Sequence, residues 1–245
     1  MVSDSSSRTG ESIPQKNKWP KVFEPLTPER QAIRDDFMGR HLEAVQKKWY
    51  GFVERFNHGY PLRTFQAGQK TLEIGAGIGA HLNWENYKAQ EYHCNELREA
   101  LCESVKQNYK GVEAKAGDCQ QRLPYDDGYF DRVLAIHVLE HLPNLPAALK
   151  EIRRVLKDDG VFSVVIPCEG SLATRLARNI SARPHFEKLY GQSYDWFIQS
   201  EHINLPGEIF EELEPFFQIT HRRFYPTFLP ILYINLFIGL TLKPK

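Results

Sequence analysis

The feature that most constrains the fold is a regular alternation of short apolar segments with amphipathic ones between residues 70 and 167. Helical patterns such as LREALCESVKQN and LPNLPAALKEIRRVLKDDG separate segments that are apolar enough to be buried strands. Those segments are KTLEIGAG, EYHCNE, GVEAKAGD, FDRVLAIH and VFSVVIP. Strands that alternate with helices predict a parallel sheet with helices on both faces. We therefore expect an α/β fold with a doubly wound, mostly parallel sheet.

The segments on either side of this region suggest further parts. Residues 1–27 are polar and predict a disordered or extended tail, and residues 28–62 show helical spacing that predicts an N-terminal helical lid. The main domain would then span residues 63–245, with an insert at 168–207 after the fifth strand. Two late segments, FQITHRRFYP and NLFIGLTLK, predict a closing antiparallel pair, which brings the sheet to seven strands.

Local signals also predict the limits of the helix before the fifth strand. In LPNLPAALKEIRRVLKDDG, Asn144 can cap the helix start, and Gly160 is a residue type that commonly ends helices. Leu145, Leu149, Ile152 and Leu156 fall on one face of this helix, which we expect to be buried.

Composition excludes some classes of function. The chain has 31 basic and 31 acidic residues, so it lacks the basic excess typical of nucleic-acid binders. Its four cysteines form no CxxC pair, which argues against a zinc knuckle or a redox motif. The polar N-terminus has no apolar core like that of a signal peptide. We therefore expect a cytoplasmic protein, and its oligomeric state is not predicted.

One uncharged stretch, FYPTFLPILYINLFIGLTL, is about as long as a membrane span. Pro226, Pro230, Asn235 and Gly239 interrupt it and argue against a spanning helix. A buried last strand is the first interpretation, and shallow contact with a membrane surface is the alternative.

A glycine-rich loop follows the first strand. The stretch TLEIGAGIGAHL places Gly75, Gly77 and Gly79 between a strand and the expected start of a helix. Glycines let a ligand approach the backbone closely, and a helix start favours negatively charged groups. Glu96 ends the second strand about 20 residues later, where a carboxylate can accept hydrogen bonds from ribose hydroxyls. The loop therefore predicts a nucleotide-bearing cofactor without identifying it.

Further motifs follow in order: Glu73 before the glycines, Gly117-Asp118 after the third strand, then LPYDDGYFDRVLAIH and LEHL. Together they resemble the class I S-adenosylmethionine-dependent methyltransferases, in particular the type-11-like branch, whose acceptors are mostly small molecules. The resemblance is tight over residues 70–167 and loose over 202–245. It implies S-adenosylmethionine as the cofactor. A Rossmann-like domain with another ligand, or with none, is the alternative.

The resemblance also implies roles for individual residues. The glycine loop would wrap the methionine part of the cofactor, with Glu73 organising the loop near the ammonium group. Glu96 would hold the ribose hydroxyls, and Leu97 would lie against the adenine. The implied cofactor-binding residues are Glu73, Gly75, Ala76, Gly77, Gly79, Glu96, Leu97, Asp118, Cys119, Ile136 and His137.

The later motifs complete this set. Asp118 would accept a hydrogen bond from the adenine amino group beside the Cys119 backbone, and the Ile136–His137 backbone would face the methionine. His137 also ends the fourth strand, where ligands lie in this fold, so we predict that it is catalytic and faces the acceptor. A packed histidine that contributes its backbone is the alternative.

The insert supplies the predicted substrate contacts. Tyr194, Trp196 and His202 combine rings with hydrogen-bonding groups, which suits a dry acceptor pocket. His202 is the second catalytic candidate, with a structural hydrogen bond as the alternative. The insert could equally be a pair of solvated helices.

A possible metal motif lies at the same edge. His137, Glu140 and His141 have the HxxEH spacing of some zinc helices. Some methyltransferases use Glu-x-x-Glu-His with a divalent metal, but here His137 replaces the first Glu. We therefore expect no metal ligand and activity without added metal.

These inferences predict methyl transfer to a small molecule. The composition of the insert suggests a hydroxyl of a sugar or glycolipid intermediate as the acceptor. An RNA or protein methyltransferase is the first alternative, and a non-catalytic cofactor-binding activator subunit is the second.

Overall fold

The computed structural model describes residues 18–46 and 51–245, and its centre is a seven-stranded sheet. The strands lie in the order β3-β2-β1-β4-β5-β7-β6. They are β1 (Lys70–Ile74), β2 (Glu91–Glu96), β3 (Glu113–Ala116), β4 (Phe130–Ile136), β5 (Leu156–Pro167), β6 (Phe217–Tyr225) and β7 (Phe237–Pro244). The first five are parallel, whereas β7 is antiparallel to both β5 and β6. The predicted doubly wound, mostly parallel sheet is confirmed.

Helices flank the sheet and form the segments before and after it. They are α1 (Pro28–Gln46), α2 (Gly51–Gly59), α3 (Glu99–Asn108), α4 (Leu145–Val155), α5 (Leu172–Ile180), α6 (Ala182–Tyr190), α7 (Tyr194–Glu201) and α8 (Pro206–Leu213). Most of the tail predicted at 1–27 lies outside the described residues, and residues 18–27 contain neither helix nor strand.

The strand order reverses between β1 and β4, because β2 and β3 lie on one side of β1 while β5 lies beyond β4. Parallel sheets bind ligands beyond the carboxyl ends of the strands at such a reversal. The loops after β1 and β4 therefore border the place where this fold can hold a ligand.

Helix α4 shows where local sequence signals succeed and where they fail. Asn144 caps its start by accepting a hydrogen bond from the Ala147 N–H, and its apolar face is fully buried, as predicted. The predicted end at Gly160 is wrong, since the helix ends at Val155 and β5 begins at Leu156. Leu156 pairs with Phe130 across the sheet, and residues 157–160 bulge out of register. A Cβ at Gly160 would lie 2.6 Å from Leu156 Cδ1, so this bulge needs a glycine.

A buried ion pair fixes the segment that precedes β1. Arg132, on β4, is fully buried, and its guanidinium lies 2.9 Å from the Glu85 carboxylate. It also donates hydrogen bonds to Thr64 Oγ1 and to the Pro61 carbonyl. The sheet thereby holds residues 61–64, which lead into the first strand.

The same N-terminal region packs against the last strand. The Tyr60 ring lies over Gly239, where a Cβ would be 2.4 Å from ring carbon Cγ. The Tyr60 hydroxyl lies 3.0 Å from His221 Nδ1 and 3.1 Å from Thr241 Oγ1. Helices before β1 and strands after β5 therefore share one packed contact.

We define the helical cap as α1 together with α5, α6 and α7. Phe37, on α1, makes edge contacts with Phe186 and Phe197, at ring-centre distances of 5.1 and 5.0 Å. Arg34 forms an ion pair with Glu201 at the end of α7. The helix predicted as a lid thus packs on the insert that follows β5.

The uncharged C-terminal stretch supplies the last strand, as predicted. Residues 237–242 belong to β7 and run between β5 and β6. Within the described parts of the chain, every helix is too short or too polar to cross a bilayer.

Candidate functional site

The glycine loop after β1 contains three glycines in the left-handed backbone region, with φ values of 65° at Gly75, 57° at Gly77 and 79° at Gly79. A Cβ at Gly75 would lie 2.5 Å from Val138 Cγ2, and one at Gly79 would lie 2.9 Å from the Tyr109 ring. A Cβ at Gly77 would meet nothing within 4 Å. Packing therefore requires two of the glycines, whereas Gly77 borders open space that a ligand can enter.

The helix expected directly after this loop is a four-residue 3-10 turn, Ala80–Asn83. Such a turn aligns few peptide dipoles, so the expected attraction of a helix start for negative charge is weak here. The loop can still contribute its backbone N–H groups and its shape.

Glu96 reaches the glycine loop from the end of β2. Its Oε2 accepts a hydrogen bond from the Gly77 N–H over 3.0 Å, and its Oε1 accepts from the N–H and the Nε of Arg98, each over 3.2 Å. Leu97 beside it is 71% exposed, which is unusual for a leucine. A carboxylate next to an exposed apolar side chain can hold a ribose and cover the face of an adenine.

Asp118 and Cys119 lie at the same edge of the sheet, because the Gly117 N–H donates to the Glu96 carbonyl. Asp118 Oδ1 accepts two hydrogen bonds of 2.9 Å, from the backbone and the side chain of Gln120. Burial raises the pKa of the Cys119 thiol to about 12. Cys119 can therefore offer a ligand its backbone but no thiolate.

Glu73 lies inside the sheet, 3% exposed, and accepts a hydrogen bond from the Tyr92 hydroxyl over 2.8 Å. Burial raises the pKa of its carboxyl group to about 8. A neighbouring ammonium group would favour the charged carboxylate. This environment fits the implied role of Glu73 near the ammonium of the cofactor.

His137 has a strained backbone at the end of β4, with φ of 54°, which is rare for a residue with a side chain. Its N–H donates to the Val165 carbonyl, and its Nδ1 lies 3.2 Å from Glu140 Oε1. Ile136, the residue before it, packs partly buried beside Val165. The His137 ring therefore contacts the turn at Leu139–His141 through Glu140.

His202 meets this turn although it lies 61 positions beyond His141. The Ile203 and Asn204 N–H groups both donate to the Glu140 carbonyl, over 2.9 and 3.0 Å. The Asn204 side chain donates to the carbonyls of Leu139 and Leu142, each over 2.8 Å. The His141 and His202 rings meet edge to face, 4.9 Å between centres.

Both predicted catalytic histidines therefore lie near Glu140, which is fully buried. Burial alone would raise the pKa of this carboxyl group. The hydrogen bond with His137 and the charges of the neighbouring histidines outweigh burial and lower it. The arrangement joins a buried carboxylate to three imidazoles, a set that can move protons or hold a cation.

Two of the three predicted substrate residues, Tyr194 and Trp196, lie apart from this turn, on α7 of the helical cap. Tyr194 is 5% exposed and packs with Phe186 and Phe197. Trp196 is partly buried in the same cluster, with the Arg30 guanidinium 5.1 Å from its ring centre. His202 follows α7 and lies beside the turn that His137 contacts. Substrate contact by all three residues stays a prediction.

The sequence pattern did not point to two residues of this region, Glu169 and Asn204. Glu169 accepts from both Arg178 and His202, and although burial would raise its pKa, these partners lower it to about 2. Its place just after β5, at the ligand edge of the sheet, was an available signal. The sequence around Asn204 contains no comparable signal, because its hydrogen-bond partners lie more than 60 positions away.

Comparisons with known proteins agree with this geometry. The family model described as "Methyltransferase domain", type 11, matches residues 72–164. Sterol 24-C-methyltransferase ERG6B of Gibberella zeae is 32% identical over 111 residues, which cover 40% of this chain and 27% of that enzyme. The matched stretches span between 14% and 42% of the first curated relatives.

Solved structures share the fold. A TehB-like SAM-dependent methyltransferase from Corynebacterium glutamicum superposes with a TM-score of 0.60 and 16% identity, covering 88% of this chain and 100% of that one. Geranyl diphosphate C-methyltransferase from Streptomyces coelicolor was solved with Mg²⁺, geranyl-S-thiolodiphosphate and S-adenosyl-L-homocysteine. It gives a TM-score of 0.57 at 12% identity, covering 77% of this chain and 75% of that one.

The matched family, the sheet order and the glycine loop with Glu96 lead to one assignment. Residues 72–164 form a methyltransferase domain of type 11, the sheet has the fold of S-adenosylmethionine-dependent methyltransferases, and the cofactor that this domain supports is S-adenosylmethionine.

Proposed function

We propose that this protein transfers a methyl group from S-adenosylmethionine to a small-molecule acceptor bound beneath the helical cap. The observation that carries the proposal is the placement of His137. It lies just beyond β4, next to β1 and its glycine loop in the sheet, and it contacts Glu140, which lies beside His202 from the insert. One end of the site then holds the cofactor, and the other presents imidazoles to an acceptor.

We assign separate roles to the residues that bind the cofactor and to those that bind the acceptor. The Gly77 backbone and the Glu96 carboxylate position the nucleoside end, and buried Glu73 faces the ammonium end. The cofactor supplies an activated methyl group on a sulfonium. Most of the rate then comes from holding the acceptor in line with that group. His137, hydrogen-bonded to Glu140, can take the proton of an acceptor hydroxyl.

The helical cap would close over the acceptor. Arg34, on α1, pairs with Glu201, the residue before His202. A shift of α1 would therefore move Glu201, which is adjacent in sequence to the predicted catalytic residue His202. This contact supports the proposal that residues 28–62 act as a lid and that residues 168–207 bind the acceptor.

The acceptor class that we propose is lipid-like, with a hydroxyl of a sugar or glycolipid intermediate as the methylated group. A sterol methyltransferase is among the relatives. The surface of this chain adds a second reason, an exposed patch that we name the apolar rim. Its members are Leu172, Leu176, Ile180, Phe228, Leu229, Ile231, Leu232, Tyr233 and Ile234.

The apolar rim fits the surface of an anionic bilayer. Residues 170–186 and 215–245, which supply the rim, contain no Asp or Glu, so the charged side chains of these two segments are basic. Arg175, Arg222 and Arg223 are exposed, and the Arg223 guanidinium lies 4.8 Å from the Phe228 ring centre. Apolar side chains flanked by arginines bind shallowly at interfaces with anionic lipids. We propose this contact as the route by which a lipid acceptor reaches the site.

A labelled-methyl assay against separate aqueous and lipid extracts of the host, followed by mass analysis, tests the proposal. We expect label in the lipid fraction. Label in RNA or protein would replace the proposal with the first alternative. Tight cofactor binding without transfer to any fraction would favour a non-catalytic activator subunit.

A further inference from the structure

Three side chains beside the proposed acceptor site converge from two distant parts of the chain. One donor atom from each of Glu140, His141 and His202 lies within 4.8 Å of the other two. The first two residues belong to the turn after β4, and the third follows α7. The Asn204 hydrogen bonds described above hold the two segments together. The convergence is therefore built into the fold.

Hydrogen bonds fix which nitrogen of each imidazole is free. His141 Nδ1 lies 2.7 Å from the Glu201 carbonyl, which can only accept, so this nitrogen carries the proton. His202 Nδ1 lies 2.6 Å from Glu169 Oε2 and 3.2 Å from an Arg178 nitrogen. The closer carboxylate makes this nitrogen a donor as well. Each neutral ring then keeps a bare lone pair on Nε2.

This pattern is typical of metal-binding histidines. Such residues almost always donate the other ring N–H to a carbonyl or a carboxylate, which fixes the ring and raises its basicity. Here a backbone carbonyl does so for His141 and Glu169 does so for His202. Arg178 in turn holds Glu169 through two hydrogen bonds.

Glu140 supplies the negative charge. Its side chain is fully buried, and its Oε2 has no hydrogen-bond partner among the residues that the structure describes. A buried carboxylate oxygen without a partner is costly. A cation beside Oε2 would remove that cost.

We propose that Glu140, His141 Nε2 and His202 Nε2 bind a divalent transition metal ion such as Zn²⁺, with one coordination position left open. Two imidazoles and one carboxylate are a donor set that suits Zn²⁺ and its neighbours, and three protein ligands leave room for a further oxygen. Bonds of about 2.1 Å place tetrahedral ligands roughly 3.4 Å apart. The donor atoms lie within 4.8 Å of one another, and His141 Nε2 lies 4.0 Å from Glu140 Oε1, so the side chains must draw closer together when the ion binds.

His137 borders the proposed metal site, because its Nδ1 lies 3.2 Å from Glu140 Oε1. If the proposed methyl transfer holds, the ion would bind the acceptor oxygen and lower the pKa of its hydroxyl group. Metal binding itself does not depend on that function. It can therefore be tested without cofactor or acceptor.

To test the proposal, the full chain is first freed of metal with a chelator. It is then titrated in a calorimeter with Zn²⁺, Mn²⁺ or Mg²⁺, and the number of bound ions is measured by mass spectrometry. We expect one Zn²⁺ per chain, weaker Mn²⁺ binding and negligible Mg²⁺ binding. His141→Asn and His202→Gln should each weaken Zn²⁺ binding by about a hundredfold or more, since each removes a direct ligand. His185→Asn, on an exposed histidine of α6, should bind as the unaltered chain does.

Co²⁺ provides a second readout, because its visible absorption reports a tetrahedral nitrogen and oxygen environment. Circular dichroism and binding of S-adenosylhomocysteine show whether each variant is folded. If a histidine variant unfolds, the Co²⁺ spectrum of the unaltered chain still decides the question. Failure to bind stoichiometric metal, or equal binding by the folded histidine variants, would overturn the proposal and leave the metal-free site expected from the sequence.

Discussion

The N–H of Gly77 donates a hydrogen bond to the Glu96 carboxylate over 3.0 Å, which joins the glycine loop to the end of β2. A ribose diol in this place would donate to the same carboxylate. Glu96→Ala should therefore weaken binding of S-adenosylhomocysteine. The expected loss is about 1.5–3 kcal/mol for hydrogen bonds to a charged group, or roughly ten- to a hundredfold in Kd.

Calorimetry measures this affinity directly. Glu99→Ala is the matched control, because it removes an exposed glutamate three residues away on α3. Equal affinity in Glu96→Ala and Glu99→Ala would remove Glu96 from the ribose site.

Gly75 and Gly77 should respond differently to alanine, although both have positive φ. Gly75→Ala drives a methyl group into Val138 and should lower stability. Gly77→Ala places a methyl group in open space and should chiefly lower cofactor affinity. Thermal unfolding and calorimetry separate the two effects.

Gly68→Ala controls for backbone strain, because Gly68 also has positive φ and open space around its Cβ. Val138→Ala should restore part of the stability lost in Gly75→Ala. If Gly77→Ala binds cofactor as tightly as Gly68→Ala does, the ligand does not approach position 77.

Glu73 should make the stability of the cofactor-free protein depend on pH. Its carboxyl group has a pKa of about 8 when folded, against an ordinary value of 4.5, so the folded state holds a proton that the unfolded state releases. The unfolding free energy should therefore fall as the pH rises towards 8. The slope is at most about 1.4 kcal/mol per pH unit.

The informative window is pH 6.5 to 8. Buried His81 has a pKa lowered to about 4 when folded, against an ordinary value of 6.5, so its contribution to the curve extends into this window. That contribution is the same with and without Glu73, so the difference between the unaltered chain and Glu73→Gln isolates Glu73. Glu73→Gln keeps an acceptor for Tyr92 and should flatten the curve. Urea unfolding at several pH values tests this. Parallel curves for the two proteins would show that Glu73 is charged throughout the window.

Gly239→Ala should destabilise the fold, since its methyl group would overlap the Tyr60 ring. Overpacking of this kind costs about 1–3 kcal/mol. Gly207→Ala is the control, because its Cβ would meet nothing within 4 Å on helix α8. Denaturant unfolding should show a loss for the first variant and little change for the second.

The apolar rim should bind anionic vesicles. The double variant Ile180→Glu and Phe228→Glu adds charge at two exposed rim positions and should abolish sedimentation with phosphatidylglycerol vesicles. Val22→Glu alters an apolar residue of 89% exposure outside the rim and should leave binding unchanged. Equal binding of the unaltered chain to neutral phosphatidylcholine vesicles would argue against the role of the arginines.

The sheet was predictable because its signals are local. Short apolar segments separated by amphipathic ones gave the strands, and a polar cap gave the start of α4. The end of α4 was not predictable, because Leu156 is drawn into β5 by pairing with Phe130. That pairing outweighs the preference of the segment for helix.

The cofactor half of the site was readable for the same reason, since its residues follow β1 and β2 directly. The acceptor half was not. The contact of His202 with His141 depends on Asn204 reaching carbonyls more than 60 positions away. The burial of Tyr194 depends on Phe37, on a helix that precedes the whole sheet. Neither contact produces a periodic hydrophobic pattern or a motif that could be recognised in the sequence.

The position of β7 between β5 and β6 has a consequence for biosynthesis. During synthesis the N-terminus leaves the ribosome first, so β6 emerges before β7. Because β7 lies between β5 and β6, β6 cannot join the sheet until β7 has emerged. During that interval the apolar edge of β5 is unpaired and open to wrong partners. The parallel half, with its glycine loop, can be complete by then. The interval between the emergence of β5 and that of β7 is therefore when wrong pairing at this edge is open to the growing chain.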